Sequence, residues 1–418
     1  MAYQETTTTG YGTRVGRSFQ SIGSGILLFC IGTALLWWNE GRAVKTNDML
    51  DEVEKNYVEM ENPNKKDASL EGELVCGSAM ATTEDSLSDS KFGIGAVAIG
   101  LQRKVEYYQW VEHSEEKSED KLGGKEVTTT TYSYTQEWTS QPIQSGRFKD
   151  PAYQEKNFVL TTIEPEEHWA ENVSFGAYKL SENLIHSISS AEPMMLNIDS
   201  TLLAKMNKDA GQVVVRQFGG KADSLKLVHM TDNQLYFGYS PSSPSVGDVR
   251  VTFEKIVPAK VTVFAVVNGD SFKAYKAKNG KRFQTLVMGK RDAADILESE
   301  HTANTTWLWI LRIVGILMVI GGLKGIFGFL ETILKVVPFI ANIIGWGVGV
   351  VCTIIGIAWS LIVIALAWLF YRPLLAICLL AIAGFLVWVF AFKGKDKLKE
   401  LAKKAQKQPD TQVAPAAE

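Results

Sequence analysis

The run Trp307–Leu323, WLWILRIVGILMVIGGL, opens a stretch to Phe392 in which charged side chains stand only at Arg312, Lys324, Glu331, Lys335 and Arg372. Most of such a stretch can be solvated only by lipid. As a helix, residues 307–323 reach about 25 Å, which just crosses a hydrocarbon core. Residues 339–370 are too long for one upright helix, and Gly345, Gly347, Gly349 and Gly356 predict an irregular or interfacial entry, with the span itself near Val348–Leu369. Residues 374–392 form a further span. Between these runs Ile326, Leu330, Ile333, Leu334 and Val337 recur at helical spacing against Lys324, Gly328, Glu331 and Lys335, which predicts a short amphipathic helix lying in the interface over residues 324–338.

Working outward, Ile22–Trp38 is another apolar run, preceded by Arg14 and Arg17. A cleavable signal peptide has the same outline, but this run ends Leu35-Leu36-Trp37-Trp38-Asn39-Glu40 with no small-x-small cleavage site, so a retained span over residues 22–38 is expected. Four crossings put both ends on one side. Arg14 and Arg17, then Lys324 and Lys335, then the lysines from Lys393 to Lys407 all fall on that side, which makes it cytoplasmic. The same topology gathers Trp37, Trp38, Trp307, Trp309, Phe370 and Tyr371 at the opposite headgroup layer. Residues 1–21, rich in Thr and Gly without apolar periodicity, read as a disordered cytoplasmic tail, and residues 393–418 as a lysine-rich one.

Residues 39–306 then form one large extracytoplasmic domain between the first and second spans, lumenal or periplasmic according to the source. The averages over 418 residues, 46% hydrophobic and 21% charged with net charge −3, conceal this division and call for no nucleic-acid partner. Three of the four cysteines, Cys30, Cys352 and Cys378, lie in apolar runs, so Cys76 has no partner within the domain for a disulfide. The domain reads as strand-rich α+β. Val97–Val111 and Val127–Trp138 predict a long hairpin with a mobile tip. Strands are expected at 212–217, 224–229, 234–239, 248–255, 260–267 and 282–288, with short helices at 180–189, 201–207 and 293–299. The fold class is thus α+β, a multi-pass α-helical membrane protein with four transmembrane helices and one strand-rich extracytoplasmic domain.

The residues give no catalytic, cofactor-binding or metal site. No two of the five histidines have metal-ligand spacing, and no nucleophile elbow, P-loop or dinucleotide fingerprint is present. Cys76 reads as a small strand residue rather than a nucleophile. Asn172 and Asn304 begin glycosylation sequons. Two groups remain. Glu40, Arg42, Arg312 and Arg372 fall at similar depth on the outer rim, where one carboxylate beside three cations predicts that Glu40 pairs with Arg312 or Arg372; reach of each charge to headgroups is the alternative. Tyr107, Trp110, Tyr132, Tyr134 and Trp138 lie along the hairpin as candidate surface-contact aromatics.

Several stretches resemble the LUMA family of four-span membrane proteins (transmembrane protein 43). They are Asn39-Glu40-Gly41-Arg42-Ala43, residues 105–112, Tyr132-Ser133-Tyr134 with Glu137-Trp138, Gly247-Asp248-Val249-Arg250-Val251, Leu311-Arg312 with Gly315, and Trp368 to Leu374, in family order. Residues 151–217 and the tail after Lys393 match less clearly. The resemblance implies residence in the endoplasmic reticulum and inner nuclear membrane in animals, self-association into a homo-oligomer, and organisation of envelope complexes with emerin and lamins. For a bacterial source it implies the inner membrane without those partners. It carries over no catalytic residue. The expected function is therefore a non-enzymatic, membrane-anchored scaffold whose partners are membrane lipids and other membrane proteins. An enzyme or accessory protein of lipid or envelope metabolism is the alternative, and a transporter a third reading with little interior to support it.

Overall fold

Glycine decides how the longest helices meet. The computed structural model describes residues 3–221, 225–334 and 338–373. Its principal helices are α1 (Tyr11–Asn56), α2 (Ser200–Phe218), α3 (Ala293–Leu334) and α4 (Pro338–Tyr371). Helices α1 and α3 pair antiparallel along their length. A Cβ on Gly25 would lie 2.8 Å from the Gly322 carbonyl oxygen, and one on Gly322 would lie 2.6 Å from the Phe29 amide nitrogen. Only hydrogen fits there, so the backbones touch, which suits helices in lipid where packing rather than water drives association. Helix α4 closes against both, with Gly356 making room for Ile320. Among the described residues these three helices, α1, α3 and α4, are long and apolar enough to cross a membrane.

Several expectations are corrected here. The disordered tail expected over residues 1–21 is instead ordered from Tyr3 onward: Tyr3–Thr9 is a strand and α1 begins at Tyr11. Nor do α1 and α3 stop at the membrane rim. Met49, Leu50 and Val53 on α1 and Ala293, Ile296 and Leu297 on α3 are buried with Cys76, Phe264 and Phe283 of the domain, so apolar burial sustains both helices as a stalk. Residues 324–334 continue α3 instead of forming a separate interfacial helix, and a Cβ on Gly325 would lie 3.1 Å from Gly25 Cα of α1. Likewise α4 is helical through Gly345, Gly347 and Gly349, and the space at Gly345 is filled by the Glu331 side chain. The expected span 374–392 and tail 393–418 lie outside the described residues.

The domain is built on two sheets. The strands used below are β1 (Tyr3–Thr9), β2 (Leu74–Thr83), β3 (Gly100–Asp120), β4 (Glu126–Thr139), β5 (Gln234–Phe237), β6 (Val249–Ile256) and β7 (Ala259–Asn268). One sheet runs β1-β4-β3-β6-β5 and packs Leu101, Val105, Leu235, Phe237, Val251 and Phe253 against Phe92 and α2. The other centres on β2 and β7, antiparallel with Val263 opposite Gly77, and buries Val75, Val263 and Phe175. The expected strand at 212–217 is the end of α2. Its Val213-Val214-Val215 run suggests a strand, but Asp199 caps the helix, Gly219 ends it at φ 79°, and Ala210 and Val214 face the core.

The hairpin is longer than its sequence suggested. Strands β3 and β4 pair from Tyr107–Thr139 down to Asp120–Glu126, so the residues expected as a mobile tip are paired, and β1 adds to β4 with Tyr3 opposite Tyr132 and Thr9 opposite Glu126. Only the turn between Asp120 and Glu126 remains. It rests on the first turns of α1, where Arg14, 7% exposed, reaches Asp120 at 2.7 Å and the Gly124 carbonyl at 3.1 Å. The hairpin therefore joins the domain to the opposite end of the helix bundle.

Candidate functional site: the rim between bundle and domain

The rim forms where α1 leaves the membrane-length apolar run and α3 enters it. Glu40, on α1, is 2% exposed and Arg312, on α3, is 8% exposed. Arg312 donates twice to this one carboxylate, from Nε to Oε1 at 2.6 Å and from Nη2 to Oε2 at 2.8 Å, and Trp368 of α4 donates Nε1–H to Oε2 at 2.7 Å. Three helices thus converge on Glu40. The guanidinium also lies 4.9 Å from the Trp309 ring centroid and 5.9 Å from that of Trp368, so aromatic faces shield the remaining positive charge. A bidentate, charge-assisted pair is the form in which a buried carboxylate and guanidinium best offset their desolvation.

Of the four rim charges, the structure brings Glu40 and Arg312 together and gives the others different surroundings. Arg42 donates Nε–H to Asn39 at 3.3 Å and Nη1–H to Asn304 at 2.9 Å, both neutral amides, and its Nη2 is buried without a partner among the described residues. Arg372 lies over Trp368, 6.0 Å from its centroid, rather than on Glu40. Next to it the Tyr371 ring packs on Gly41, where any Cβ would collide with it. Asn39 is fully buried and bonds the Leu308 carbonyl at 3.0 Å, and Asn304 bonds the Ala43 carbonyl and Asn47. Asn304, with its amide spent in this seam, has no surface to offer an oligosaccharide. Trp368, Asn39 and Gly41 were not foreseen as site residues. Polar groups immediately flanking an apolar run were the available signal.

The five hairpin aromatics are divided between the core and the hairpin surface. Tyr107 is 2% exposed and its hydroxyl donates to the Ile163 carbonyl. Trp110 packs edge-on to Tyr153 at 4.8 Å, and Tyr134 stacks on the same ring at 4.1 Å. Tyr132 is 8% exposed and faces Tyr3, while Trp138 packs on Tyr108 and holds the Arg250 guanidinium 4.3 Å from its centroid. These rings fasten the 140–157 segment and β1 to the hairpin. Tyr107 and Tyr132 are buried, while Trp110, Tyr134 and Trp138 keep part of their surface exposed, so the expected division into core rings and outward-facing rings is seen in their burial. Burial and the hydrogen bond to Glu112 push the Tyr134 hydroxyl up to about 12.

Within the domain a polar cleft of about 310 Å³ is lined by Glu59, Cys76, Lys260, Lys290, Arg291 and Asp292. Burial, then the charges of Glu59 and Asp292, push the Cys76 thiol up to about 12, so the thiolate needed for nucleophilic chemistry is suppressed at neutral pH. Among the described residues no cluster of His, Cys, Asp and Glu is placed to hold a metal ion.

Comparison with known proteins follows this geometry closely. The family model described as Transmembrane protein 43 matches residues 107–373, a range that includes the hairpin, Arg312, Trp368 and Arg372. Transmembrane protein 43 of Rattus norvegicus is 29% identical over 377 residues, covering 88% of each chain. The protein of that name in Homo sapiens is 28% identical over 384 residues, 90% of each chain, and the Drosophila melanogaster homolog is 26% identical over 363 residues, 85% of this chain and 90% of its own. No solved structure matches. With more than half its length inside the family model, the chain belongs to the transmembrane protein 43 family.

Proposed function

We propose that this protein is a membrane-anchored scaffold of an envelope membrane, with its domain extracytoplasmic and seated at the membrane surface. The observation that carries the reading is the stalk: α1 and α3 pass from their apolar runs into the domain core without a break, so the domain is a rigid extension of the bundle. A flexible tether would suit a captured enzyme; a rigid one suits a part that fixes the position of something else. The partners proposed are other membrane proteins and further copies of the chain, meeting along the apolar helix faces, where Ile26, Leu27, Ile310, Ile313, Leu317 and Leu361 are exposed. Chemical cross-linking in native membranes, followed by purification of the full chain, tests this. The expected result is a ladder of cross-linked copies together with other membrane proteins. Recovery of uncross-linked monomer alone would contradict it.

A further inference from the structure

We propose that Arg42, Lys45 and Lys281 form a binding site for the phosphate of an anionic lipid headgroup in the leaflet on the domain side. The site rests on the reading above that the domain is seated at that surface. Arg42 and Lys45 are one turn apart on α1. Lys281 arrives from the turn after Tyr275–Lys276, donating Nζ–H to Thr46 Oγ1 at 2.8 Å, and the same turn is fastened by Asn279, whose Nδ2 donates to the Lys45 carbonyl at 2.6 Å. The side chains of Arg42 and Lys281 are thus held by neutral hydrogen bonds, and that of Lys45 stands exposed beside them.

What the patch lacks is a carboxylate in direct contact: Glu40 acts on Arg42 only at a distance. Among the described residues none of the three makes an ion pair. Glu40, the carboxylate two residues from Arg42, is occupied by Arg312 and Trp368. Arg42 is half-buried with only amide oxygens as partners, and burial together with the charges of Arg42 and Lys45 lowers the pKa of Lys281. Cations placed so close normally recruit an anion. Depth identifies its source. Arg42 and Lys45 lie about 6 and 11 Å along the helix beyond Trp38, whose exposed ring belongs at the boundary of the hydrocarbon, which puts them at the level of lipid phosphates. Arg372, beside the Tyr371 ring on Gly41, adds a fourth cation to the same belt.

The test uses the full chain in detergent micelles and follows its thermal midpoint on addition of phosphatidylglycerol, phosphatidylcholine or inorganic phosphate. Phosphatidylglycerol is expected to raise the midpoint and phosphatidylcholine to leave it unchanged. Lys45→Gln and Lys281→Gln, both removing a charge at the edge of the patch, should each weaken phosphatidylglycerol binding roughly five-fold, while Lys205→Gln on α2 should not. An equal shift with inorganic phosphate would mean a free-phosphate site and overturn the lipid assignment. So would an equal shift with phosphatidylcholine, or a phosphatidylglycerol response that survives the two lysine changes together. Labelling of Ser187→Cys from one side of intact membranes reports the placement of the domain independently, so failure of the lipid site and failure of the scaffold reading are told apart.

Discussion

Glu40 is a carboxylate 2% exposed at the edge of an apolar bundle, and it is stable there only while its charge is matched. Glu40→Gln or Arg312→Gln alone leaves the other member a buried, unmatched charge, and each is expected to cost about 3–5 kcal/mol. The double variant should be less damaged than the sum, with an interaction energy of about 1–3 kcal/mol; strict additivity in a thermal double-mutant cycle in detergent would leave the pair without energetic standing. Asp248 gives a second, pH-dependent expectation. It is buried, with Tyr236 donating at 2.5 Å and the Ser245 amide at 2.8 Å, and burial raises its pKa despite both bonds. A raised folded-state pKa contributes stability below the ordinary carboxylate range and loses it as pH rises through the folded value. Asp248→Asn should therefore gain on the wild type as pH is raised across that interval, measured as the difference in Tm; a difference independent of pH would contradict the assignment. The Glu40–Arg312 contact was legible in the sequence because Glu40 follows one apolar run and Arg312 lies just inside the start of another, which puts them at a similar depth in antiparallel helices. Trp368 was not, because its contact depends on the rotation of α4, and an apolar helix gives no periodicity from which rotation can be read.

At the scale of elements, the long hairpin sets the strongest physical condition. It connects the domain to the Arg14 end of α1, so it passes the level of the apolar runs. His113, Glu115, Lys117 and Glu119 on one face, and Glu112, Ser114, Glu116 and Ser118 on the other, leave it polar on both sides. Hydrocarbon cannot solvate such a ribbon, so water or protein must surround it along that path. A cysteine pair at Arg14 and Asp120, in a chain otherwise free of cysteine, should be bridged by a short bifunctional thiol reagent in native membranes, with Ser118→Cys open to a hydrophilic thiol reagent. No cross-link, together with labelling of Ser118→Cys only from the domain side, would return the tip to the domain and release β1. Strand β1 was illegible for a physical reason: Thr6–Thr9 pair with Glu126–Thr129 through backbone bonds, which leave no hydrophobic pattern in Thr6–Thr9. Strands β5, β6 and β7 were legible because alternation and β-branched residues coincide with turn signals at their ends.

For the whole molecule, the division into a membrane part and a strand-rich part follows from hydropathy alone, whereas the stalk that makes them one body does not. The polar seam of Asn39, Asn47 and Asn304 looks like an ordinary helix surface until its partner is known, and no pattern in a single helix names that partner. We propose that the body of the domain is held on one side of the membrane and the lysine-rich end of the chain on the other. The most direct measurement places single cysteines at Ser187, exposed on the domain, and at Gln406, in a chain otherwise free of cysteine, and labels intact membrane vesicles of known orientation with an impermeant thiol reagent. The predicted result is labelling of Ser187→Cys from the extracytoplasmic face and of Gln406→Cys only from the cytoplasmic face; labelling of both from one face would contradict it.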